Sequence, residues 1–551
     1  MSPAYSVVVP SAVLVPEAMR AVGNLPAVVY PLSEGTFFDA LWTQYSDASE
    51  IVIVACRGAK EVRKRIDLAT HPTVSIVEMP EVGDLCSTVR FGLDALESKG
   101  LPAIVNFSDT IAHGGILDAI DSFYSSRERL SEEWTFFERS GDCLRVTYDR
   151  DEAASAEPGY GDAFVGVFRF DDPRAMLDAI DETAGITPDG DTSWFYRALE
   201  HYGERRQLTP IEPADWFDIG HPSGYVSAQL QVKAREFNHI SIDRNRAILR
   251  KSSDDVDKFL GEIRWYLKLP ADVSYAAPRI FGYSLAYDGP WVEMEYYPYH
   301  TLHSLWLNGR LDRAQWATIF ERIAFVLEDF ARYRVSDDPV KVSAALREMY
   351  LDKTVQRLER LRGKEAFAPL FDGDVTVNGE RYPSLTRVEE LLRDAVPGAL
   401  CSGDADICLV HGDLCFANVM VDDSLSFVKL VDPRGKFGPF DIYGDQRYEL
   451  AKLAHSVDGL YDLIIKEQFD LAYDPGARDI EFNVARPEGP DLYGIMQECL
   501  APIIGDRIRE VELIEATLFL SMVPLHGESE RQQLAMLGTG LELLKRTLKE
   551  M

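Results

Sequence analysis

Apolar residues in the first part of the chain occur in short, β-branched runs that are separated by segments of helix length. The runs cover residues 6–9, 51–55, 73–77 and 103–107. Strands that alternate with helices along a chain form mostly parallel sheets, so the pattern predicts an α/β unit of this kind. Ligands bind beyond the carboxyl ends of such strands. Asp109 follows the run at 103–107 and therefore lies where a carboxylate for a metal or a nucleotide is expected.

The second part of the chain begins with strand-like runs and continues with helical periodicity. Residues 237–243 and 247–252 alternate as a hairpin around Asp243-Arg244-Asn245, residues 254–267 predict an amphipathic helix, and residues 291–298 predict a strand. Helical spacing then recurs in longer segments, which are 313–333, 344–362, 385–395, 445–468, 490–500, and 508–549 with breaks around Pro524 and Gly538. The pattern predicts an α+β unit whose larger part is helical.

The chain has 551 residues, which is too long for one hydrophobic core. The two patterns favour a first domain of about 230 residues and a second of about 320. We expect the boundary near residues 229–235. This division gives one domain over 1–232, then a small lobe over 233–300 and a helical large lobe over 301–551.

Polar residues in the second part have the spacing of a phosphoryl-transfer loop. Asp413 and Asn418 are five positions apart, as the catalytic base and one metal ligand are in the kinase pattern H-R-D-x-x-x-x-N. Asp432 follows a later apolar run. Asp413 would orient an acceptor hydroxyl and accept its proton, while the oxygens of Asn418 and Asp432 suit the Mg²⁺ that accompanies ATP. His411 is a further candidate catalytic residue, although a histidine before the base more often holds the loop through hydrogen bonds.

The strand-like runs at 407–410 and 427–431 would bring this loop and Asp432 together across a hairpin. His411-Gly412-Asp413, with Asn418 and the later segment Asp445-Gln446-Arg447-Tyr448-Glu449-Leu450-Ala451-Lys452-Leu453, resembles the aminoglycoside phosphotransferase and choline/ethanolamine kinase superfamily. These proteins are similar in fold to protein kinases but phosphorylate small-molecule hydroxyls. The family has Gly after the His, where protein kinases usually have Arg, and this chain has Gly412.

The resemblance implies a lysine for the triphosphate in the small lobe. Lys251, in the second strand of the hairpin, is the candidate, and Glu262 in the following helix is placed to form an ion pair with it. Arg250 and Lys258 are alternatives, since the hairpin lacks the expected glycine-rich turn. Glu295 lies in the strand and hinge where the adenine would bind.

A second resemblance concerns the first domain. Trp216-Phe217-Asp218-Ile219-Gly220-His221-Pro222-Ser223-Gly224-Tyr225 resembles the W-x-D-I-G-T-P-x-x-Y element of sugar-1-phosphate nucleotidyltransferases. Two aspartates of that family hold the Mg²⁺ that bridges the nucleotide and the sugar phosphate, and Asp109 and Asp218 match them. Residues 161–170 resemble the family's strand before a helix, and residues 31–36 resemble its P-L-x-x-x-x-P segment.

The first domain also departs from that family. The expected G-x-G-x-R loop and Pro-Lys pair correspond here to residues 10–16 and to Pro26-Ala27, which contain neither glycine nor positive charge. The domain is therefore either a scaffold without transfer chemistry or an enzyme for an unusual substrate. A glycosyltransferase in which Ser108-Asp109 stands in for a D-x-D site is a further alternative. Equally weighted is a structural role, in which Asp109 caps a helix and Asp218 supports a turn.

Charge and cysteine content narrow the possible partners. The net charge of −33, from 90 acidic and 57 basic side chains, disfavours nucleic acid and anionic membrane surfaces. It mildly favours a cationic acceptor such as an amino alcohol. The seven cysteines are scattered without C-x-x-C spacing, which is typical of reduced thiols in a cytosolic protein. We find neither a signal peptide nor a run of ~20 apolar residues that would cross a membrane.

These observations predict a cytoplasmic two-domain enzyme. Its second half would be an ATP- and Mg²⁺-dependent kinase for a hydroxyl of a small molecule, an amino alcohol or a sugar. Its first half would bind a nucleotide or a sugar phosphate and would activate the product for a surface glycan or a lipid head group. The alternative is a nucleotide-sensing or scaffolding protein whose first domain is degenerate.

Overall fold

The chain divides into two compact units in the computed structural model, Met1–Val232 and Lys233–Met551. The structure describes residues 4–16, 23–32, 35–131, 134–140, 143–148, 152–153, 159–184, 194–220, 238–243, 246–309 and 311–548. The predicted boundary at 229–235 lies outside these described residues, as do His221 to Tyr225 of the W-x-D-I-G-like element. Each unit is considered by itself below.

The first unit is built around one large mixed sheet. Its described strands are β1 Ser6–Ser11, β2 Glu50–Ala55, β3 Val74–Glu78, β4 Ala103–Asn106, β5 Thr110–His113, β6 Ser122–Arg129, β7 Phe136–Ser140, β8 Cys143–Tyr148, β9 Tyr160–Phe170, β10 Thr209–Ile211 and β11 Asp215–Asp218. Its described helices are α1 Phe37–Tyr45, α2 Ala59–Arg65, α3 Leu85–Ala95, α4 Pro173–Thr183 and α5 Trp194–Arg205. The main path of the sheet has the order β10-β6-β9-β4-β1-β2-β3.

The predicted α/β class of the first unit is confirmed. Strand β1 pairs in parallel with β2 and β4, and β2 pairs in parallel with β3. The middle residues of β1, β2 and β4 form continuous apolar, buried runs, as is typical of a parallel sheet that is covered on both faces. Gly92 lets α3 approach closely, since an added Cβ would lie 2.3 Å from Val8 Cγ1 and 2.8 Å from Val54 Cγ2. The predicted strand at 161–170 is β9, and it precedes helix α4 as expected.

The second unit combines small sheets with many helices. Its described strands are β12 Asn238–Asp243, β13 Ile248–Ser253, β14 Ile280–Ser284, β15 Trp291–Glu295, β16 His300–Thr301, β17 Arg334–Val335, β18 Val375–Val377, β19 Glu380–Tyr382, β20 Ile407–Leu409, β21 Val419–Val421, β22 Val428–Leu430, β23 Tyr443–Asp445, β24 Phe469–Asp474 and β25 Asp479–Val484. Its described helices are α6 Val256–Lys268, α7 Leu302–Asn308, α8 Arg313–Ala331, α9 Pro339–Arg347, α10 Lys353–Glu359, α11 Pro369–Asp372, α12 Leu385–Leu400, α13 Gln446–Val457, α14 Tyr461–Ile465, α15 Leu492–Ile504, α16 Ile508–Met522 and α17 Glu530–Thr547.

The strands before the helical region form one sheet with the order β12-β13-β15-β14. The predicted hairpin is present, because β12 and β13 pair antiparallel, although Arg244 and Asn245 of its turn lie outside the described residues. Helix α6 follows β13 and begins at its N-cap Asp255, whose side chain accepts a hydrogen bond from the Lys258 backbone N–H. The α+β class predicted for this unit is confirmed.

One predicted pairing is wrong. The run at 407–410 forms β20, which pairs with β17 and β23, and the run at 427–431 forms β22, which pairs with β21. The hairpin that leads to Asp432 is therefore β21-β22, and its first strand begins directly after Asn418. The loop and Asp432 still meet, because the Val431 backbone N–H donates to the Asn418 carbonyl over 3.0 Å.

The helical periodicity predicted the later elements only in part. The single helix expected at 344–362 is interrupted by a π-helical turn over Glu348–Asp352. The break expected around Pro524 is present, whereas Gly538 lies inside α17, where an added Cβ would be 2.5 Å from Phe482 Cε1. The glycine thus serves close packing and does not end the helix. Strands β18, β19, β24 and β25, which form a separate sheet, were not predicted.

None of the helices in the described residues is both long enough and apolar enough to cross a membrane.

Candidate active site

The loop between β20 and β21 positions Asp413. A 3-10 turn over Phe416–Asn418 reverses the chain, and the Asn418 Nδ2 donates to the Asp413 carbonyl over 2.8 Å. Gly412 has φ of +81°, and a Cβ there would lie 2.9 Å from the Arg434 Cβ. The glycine before the base is therefore required by the backbone conformation and by the close approach of Arg434.

His411 holds the loop through both ring nitrogens. Its Nε2 lies 2.9 Å from the Val431 carbonyl, and its Nδ1 lies 3.3 Å from the Asp413 backbone N–H. The first contact requires a proton on Nε2 and the second a lone pair on Nδ1, so the neutral ring satisfies both. Complete burial lowers the pKa of His411 to about 4 and also favours the neutral form. The geometry gives His411 a positioning role, since its nitrogens face the backbone.

Sequence reasoning assigned no role to Glu449, which fixes the backbone of the same loop. Its two carboxylate oxygens accept hydrogen bonds from the backbone N–H groups of His411 and Gly412 at 2.8 and 2.9 Å. Glu449 is fully buried in α13, and burial raises its pKa to about 7 despite these two bonds. Arg447 and Lys452 lie close to Glu449 in the sequence, so no apolar surrounding marks this residue as buried.

Lys452 was likewise missed, and it lies one helical turn after Glu449. Its Nζ contacts the Asp413 Oδ1 at 2.9 Å. Burial by itself raises the pKa of Asp413, but the Lys452 ammonium outweighs burial and holds that pKa well below its usual range. Asp413 is therefore ionised at neutral pH and can accept a proton. The pair also explains how a buried lysine remains charged.

Lys251 is enclosed by two carboxylates. Its Nζ lies 2.8 and 2.9 Å from the two Glu262 oxygens and 2.8 Å from the Asp432 Oδ1. The predicted ion pair with Glu262 is present, and the lysine is 4% exposed. Burial raises the pKa of Glu262 to about 7, with the neighbouring Asp432 adding to the effect and Lys251 opposing it. A cation that is fixed between strand β13 and helix α6 is well placed to meet phosphate oxygens.

The two alternative cations are placed differently. Arg250 pairs with Glu293 at 2.9 Å and stacks over Trp291 on the outer face of the sheet. Lys258 lies in α6 and lines the same cavities as the candidate base. Of the three, Lys251 combines burial with contact to Asp432. Glu295, the hinge candidate, accepts a hydrogen bond from the Tyr297 hydroxyl at 2.7 Å.

A small cavity of about 40 Å³ joins the candidate residues of the nucleotide site. It is lined by Lys251, Glu262, Asp413, Asn418 and Asp432, among others. Among the described residues, no group of three or more His, Cys, Asp or Glu side chains could hold a metal ion. Asn418 and Asp432 nevertheless suit Mg²⁺, which takes few protein oxygens and fills its other positions with water and phosphate oxygens.

A larger cavity of about 900 Å³ is also lined by Asp413 and Asp432. Its further wall is made by residues of α10 and α16, including Lys353, Arg357 and Ser521. This volume is in the range of small-molecule sites. Lys251 and Asn418 line the small cavity and not the large one. The Asp413 and Asp432 carboxylates thus lie where the small cavity and the large cavity meet.

In the first unit, the structure brings Asp109 and Asp218 together. The Thr110 hydroxyl lies 3.3 Å from an oxygen of each carboxylate, and a Cβ on Gly220 would be 2.7 Å from Asp109 Oδ2 and 3.0 Å from Asp218 Oδ1. Strands β5 and β11 create this arrangement by pairing Thr110 with Asp218. Asp109 is followed by strand β5 and caps no helix.

Asp218 also has the structural role that was considered as an alternative. Its Oδ1 accepts a hydrogen bond from the Gly220 backbone N–H at 2.6 Å. The two carboxylates nevertheless remain close together, because both contact the Thr110 hydroxyl. Ser33 and Glu34 of the 31–36 segment lie outside the described residues.

One protein family matches part of the second unit. Residues 234–432 match the model of the phosphotransferase enzyme family, which confirms the resemblance predicted for the second half. This match ends at Asp432, the last residue of the candidate nucleotide site. No curated protein sequence matches the chain.

Solved structures similar to the first unit include a protein from Bacillus anthracis that is described provisionally as a glucose-1-phosphate thymidylyltransferase. It is 11% identical, with a TM-score of 0.34, over 42% of this chain and 98% of its own. For the second unit, a thermostable mutant of an aminoglycoside phosphotransferase is 12% identical, with a TM-score of 0.36, over 57% of this chain and 93% of its own. Choline kinase from Streptococcus pneumoniae is also 12% identical, with a TM-score of 0.32, over 58% and 91% of the two chains.

Proposed function

We propose that the second unit transfers the terminal phosphoryl group of ATP to a hydroxyl of a small molecule. The observation that supports this proposal best is the convergence of Asp413, Asn418, Asp432 and Lys251 on one small cavity that adjoins a larger one. The match of residues 234–432 to the phosphotransferase family agrees with it. The predicted lobes, 233–300 and 301–551, are part of this proposal.

Each residue has a defined task in the transfer. The Asp413 carboxylate orients the acceptor hydroxyl and takes its proton as the new O–P bond forms, while the bond between the transferred phosphorus and ADP breaks. Lys251 binds triphosphate oxygens and is held in place by Glu262. Asn418 and Asp432 would hold Mg²⁺, which neutralises charge on the triphosphate. Glu295 is proposed to lie beside the adenine.

A small molecule is favoured over a protein as acceptor. Protein kinases use a long segment after the metal-binding aspartate to hold a peptide. Here the chain continues from Gly435 and already forms strand β23 at Tyr443–Asp445 before helix α13 begins. That interval is too short to present a peptide, whereas the 900 Å³ cavity is of a size for an amino alcohol or a sugar derivative.

The central test compares Asp413→Asn with the unchanged chain. We expect ATP binding and folding to persist while phosphoryl transfer falls by several orders of magnitude, because the amide cannot accept the proton. Transfer is measured as ADP release with a panel of choline, ethanolamine, glycerol, sugars and sugar derivatives. Asp404→Asn, the same change at an exposed position outside both cavities, is the matched control. Similar turnover in Asp413→Asn and the control would remove Asp413 from the reaction.

For the first unit we propose binding of a nucleotide or sugar phosphate together with a divalent ion at Asp109 and Asp218. The shared contact of both carboxylates with Thr110 supports this proposal. The test measures Mn²⁺-dependent binding of CTP, UTP and sugar phosphates to the full chain carrying Asp432→Ala, so that the second unit's metal site does not contribute. We expect Asp109→Asn to weaken binding. Equal binding with and without this change would favour purely structural roles for Asp109 and Asp218.

The two proposals together suggest consecutive steps. A phosphorylated product of the second unit is the class of molecule that nucleotidyltransferase-like proteins activate, for example for a surface glycan or a lipid head group. The rival proposal is a nucleotide-sensing or scaffolding first unit, and the absence of glycine and positive charge from residues 10–16 favours it. Release of pyrophosphate from a nucleoside triphosphate by the full chain would favour two consecutive catalytic steps over a sensing or scaffolding first unit.

A further inference from the structure

The walls of the 900 Å³ cavity have a charge opposite to that of the whole chain. Seven cationic side chains and four carboxylates line it, although the chain carries a net charge of −33. Two of those carboxylates, Asp413 and Asp432, already pair with Lys452 and Lys251. A third, Asp441, pairs with Lys268 outside the cavity wall. The remaining cations therefore exceed the carboxylates that could neutralise them.

Three of the cations belong to one group, which we name the cation cluster: Lys353, Arg357 and Arg434. Within the part of the chain that the structure describes, no carboxylate lies within ion-pair distance of Arg357 or Arg434. Arg357 donates a long hydrogen bond to the Ser521 Oγ at 3.4 Å, and Arg434 donates to the Tyr448 hydroxyl at 3.1 Å. Lys353 donates a hydrogen bond to the Met349 Sδ at 3.1 Å, and its Nζ lies 3.6 Å from a Glu348 oxygen.

The members of the cation cluster repel one another. Burial lowers the pKa of Lys353 and of Arg357, and the charge of Arg434 lowers each of them further. The Tyr448 hydroxyl, with smaller contributions from the Asp413 and Glu348 carboxylates, raises the pKa of Arg434. Among the described residues, only Lys353 of the three cations has a carboxylate within ion-pair distance. Like charges gathered in a half-buried wall are unfavourable, and an anionic ligand bound among them would reduce their repulsion.

The position of the cluster distinguishes it from the triphosphate site. Lys251 and Asn418 line only the small cavity, whereas Lys353 and Arg357 line only the large one. Asp413 lines both cavities and faces the acceptor side of the proposed transfer. An anion at the cluster would thus be part of the acceptor and not of ATP.

We propose that the acceptor carries, besides the hydroxyl that is phosphorylated, an oxyanion group that binds to Lys353, Arg357 and Arg434. This inference rests on the proposed function and narrows its substrate class to a sugar or polyol with a carboxylate or phosphate. Arginine and lysine recognise both groups through charge-assisted hydrogen bonds, and the arginines can do so with two parallel bonds. It opposes the cationic amino alcohol that the net charge had favoured.

A binding experiment tests the anion site without turnover. Sulfate, which cannot accept a phosphoryl group, is titrated by calorimetry into the full chain with and without a non-hydrolysable ATP analogue and Mg²⁺. We expect sulfate to bind in both cases and Arg357→Met to weaken its affinity roughly tenfold or more, since hydrogen bonds to a charged group are lost. Arg393→Met, at an exposed position of α12 outside this cavity, should bind sulfate like the unchanged chain.

Lys353→Met provides a second variant, which decides the matter if Arg357→Met does not fold, as checked by its melting temperature. Sulfate binding that is unaffected by either variant would overturn the proposal. Sulfate that is displaced by the ATP analogue would also overturn it, because the anion would then lie in the nucleotide site.

A kinetic experiment distinguishes carboxylate from phosphate and separates this inference from the proposed function. Glycerol is compared with glycerate and glycerol phosphate, and glucose with glucuronate and glucose 6-phosphate, with choline as the cationic reference. We expect an anionic member to be phosphorylated with a higher kcat/KM than its neutral partner. Arg357→Met should raise the KM for that acceptor roughly tenfold and leave the KM for ATP unchanged.

Each unfavourable outcome has a separate meaning. Preference for choline or for the neutral members, with transfer that depends on Asp413, would overturn the oxyanion proposal and keep the kinase. An increase of the KM for ATP in Arg357→Met, and not of the KM for the acceptor, would assign the cluster to the triphosphate and overturn the proposal as well. Transfer that does not depend on Asp413 would instead contradict the proposed function.

Discussion

The buried ring of His411 makes stability depend on pH in a way that one substitution can isolate. Its pKa is lowered to about 4 by burial in the folded chain, compared with about 6.5 in an unfolded chain. Between these two values the unfolded state binds more protons than the folded state. Stability is therefore lost as the pH falls through this window. For two pKa values this far apart, the loss between pH 7 and pH 5 is about 2 kcal/mol.

His411→Gln tests this magnitude. The Gln amide can still donate to the Val431 carbonyl, but it does not titrate. Urea unfolding is followed at pH 7 and pH 5 for both chains, and the transition that the substitution shifts belongs to the second unit. We expect the unchanged chain to lose about 2 kcal/mol more than the variant between the two pH values. Glu262 and Glu449, whose raised pKa values give the opposite dependence between about pH 4.5 and 7, occur in both chains and cancel.

The same variant distinguishes a positioning role from proton transfer. If His411 only holds the loop, His411→Gln keeps far more activity than Asp413→Asn, and its kcat/KM shows an unchanged acidic limb against pH. Equal pH dependence of unfolding in the two chains would refute the burial argument. A loss of activity as large as that of Asp413→Asn would return His411 to the catalytic residues.

Three further predictions concern the same loop and its metal ligand. Lys452→Met should raise the pKa of Asp413, because the ammonium 2.9 Å from its Oδ1 is lost. The acidic limb of the plot of kcat/KM against pH should therefore move to higher pH, and a limb that stays in place would exclude Asp413 as the titrating base. Gly412→Ala should destabilise the second unit by about 1–3 kcal/mol in urea unfolding, since φ is +81° and the new Cβ would approach Arg434 Cβ at 2.9 Å. Unchanged stability would contradict the argument that the backbone at Gly412 strains any other residue. Asp432→Ala should weaken Mg²⁺-dependent ATP binding in calorimetry, and unchanged affinity would remove it from the metal site.

The sequence predicted those parts of the fold and site that depend on local pattern. The apolar runs located strands β1 to β4, and alternation located the hairpin that carries Lys251. The five-residue spacing predicted Asp413 and Asn418 together, because a short loop fixes their separation. These inferences need only the residues within a few positions of one another.

Features that depend on distant partners were not predicted. The strand before the loop pairs with β17 and β23, and nothing in its apolar run specifies those partners over β22. Glu449 and Lys452 acquire their roles because helix α13 packs beneath the loop, as shown by their contacts with His411, Gly412 and Asp413. A charged residue in a helix is more often solvated, so the local pattern around Glu449 and Lys452 does not predict these contacts.

The charge of the larger cavity also depends on residues that are distant in the sequence. It explains how an acidic chain can have a cavity that suits an anionic acceptor. Arg434 is far along the chain from Lys353 and Arg357, so their grouping is a property of the fold. A net charge of −33 repels an anionic polymer, which contacts many parts of the surface at once. A small anion inside a cavity responds instead to charges within a Debye length, about 8–10 Å in physiological salt. A net negative charge that disfavours nucleic acid is therefore compatible with the small oxyanion that we propose beside Asp413.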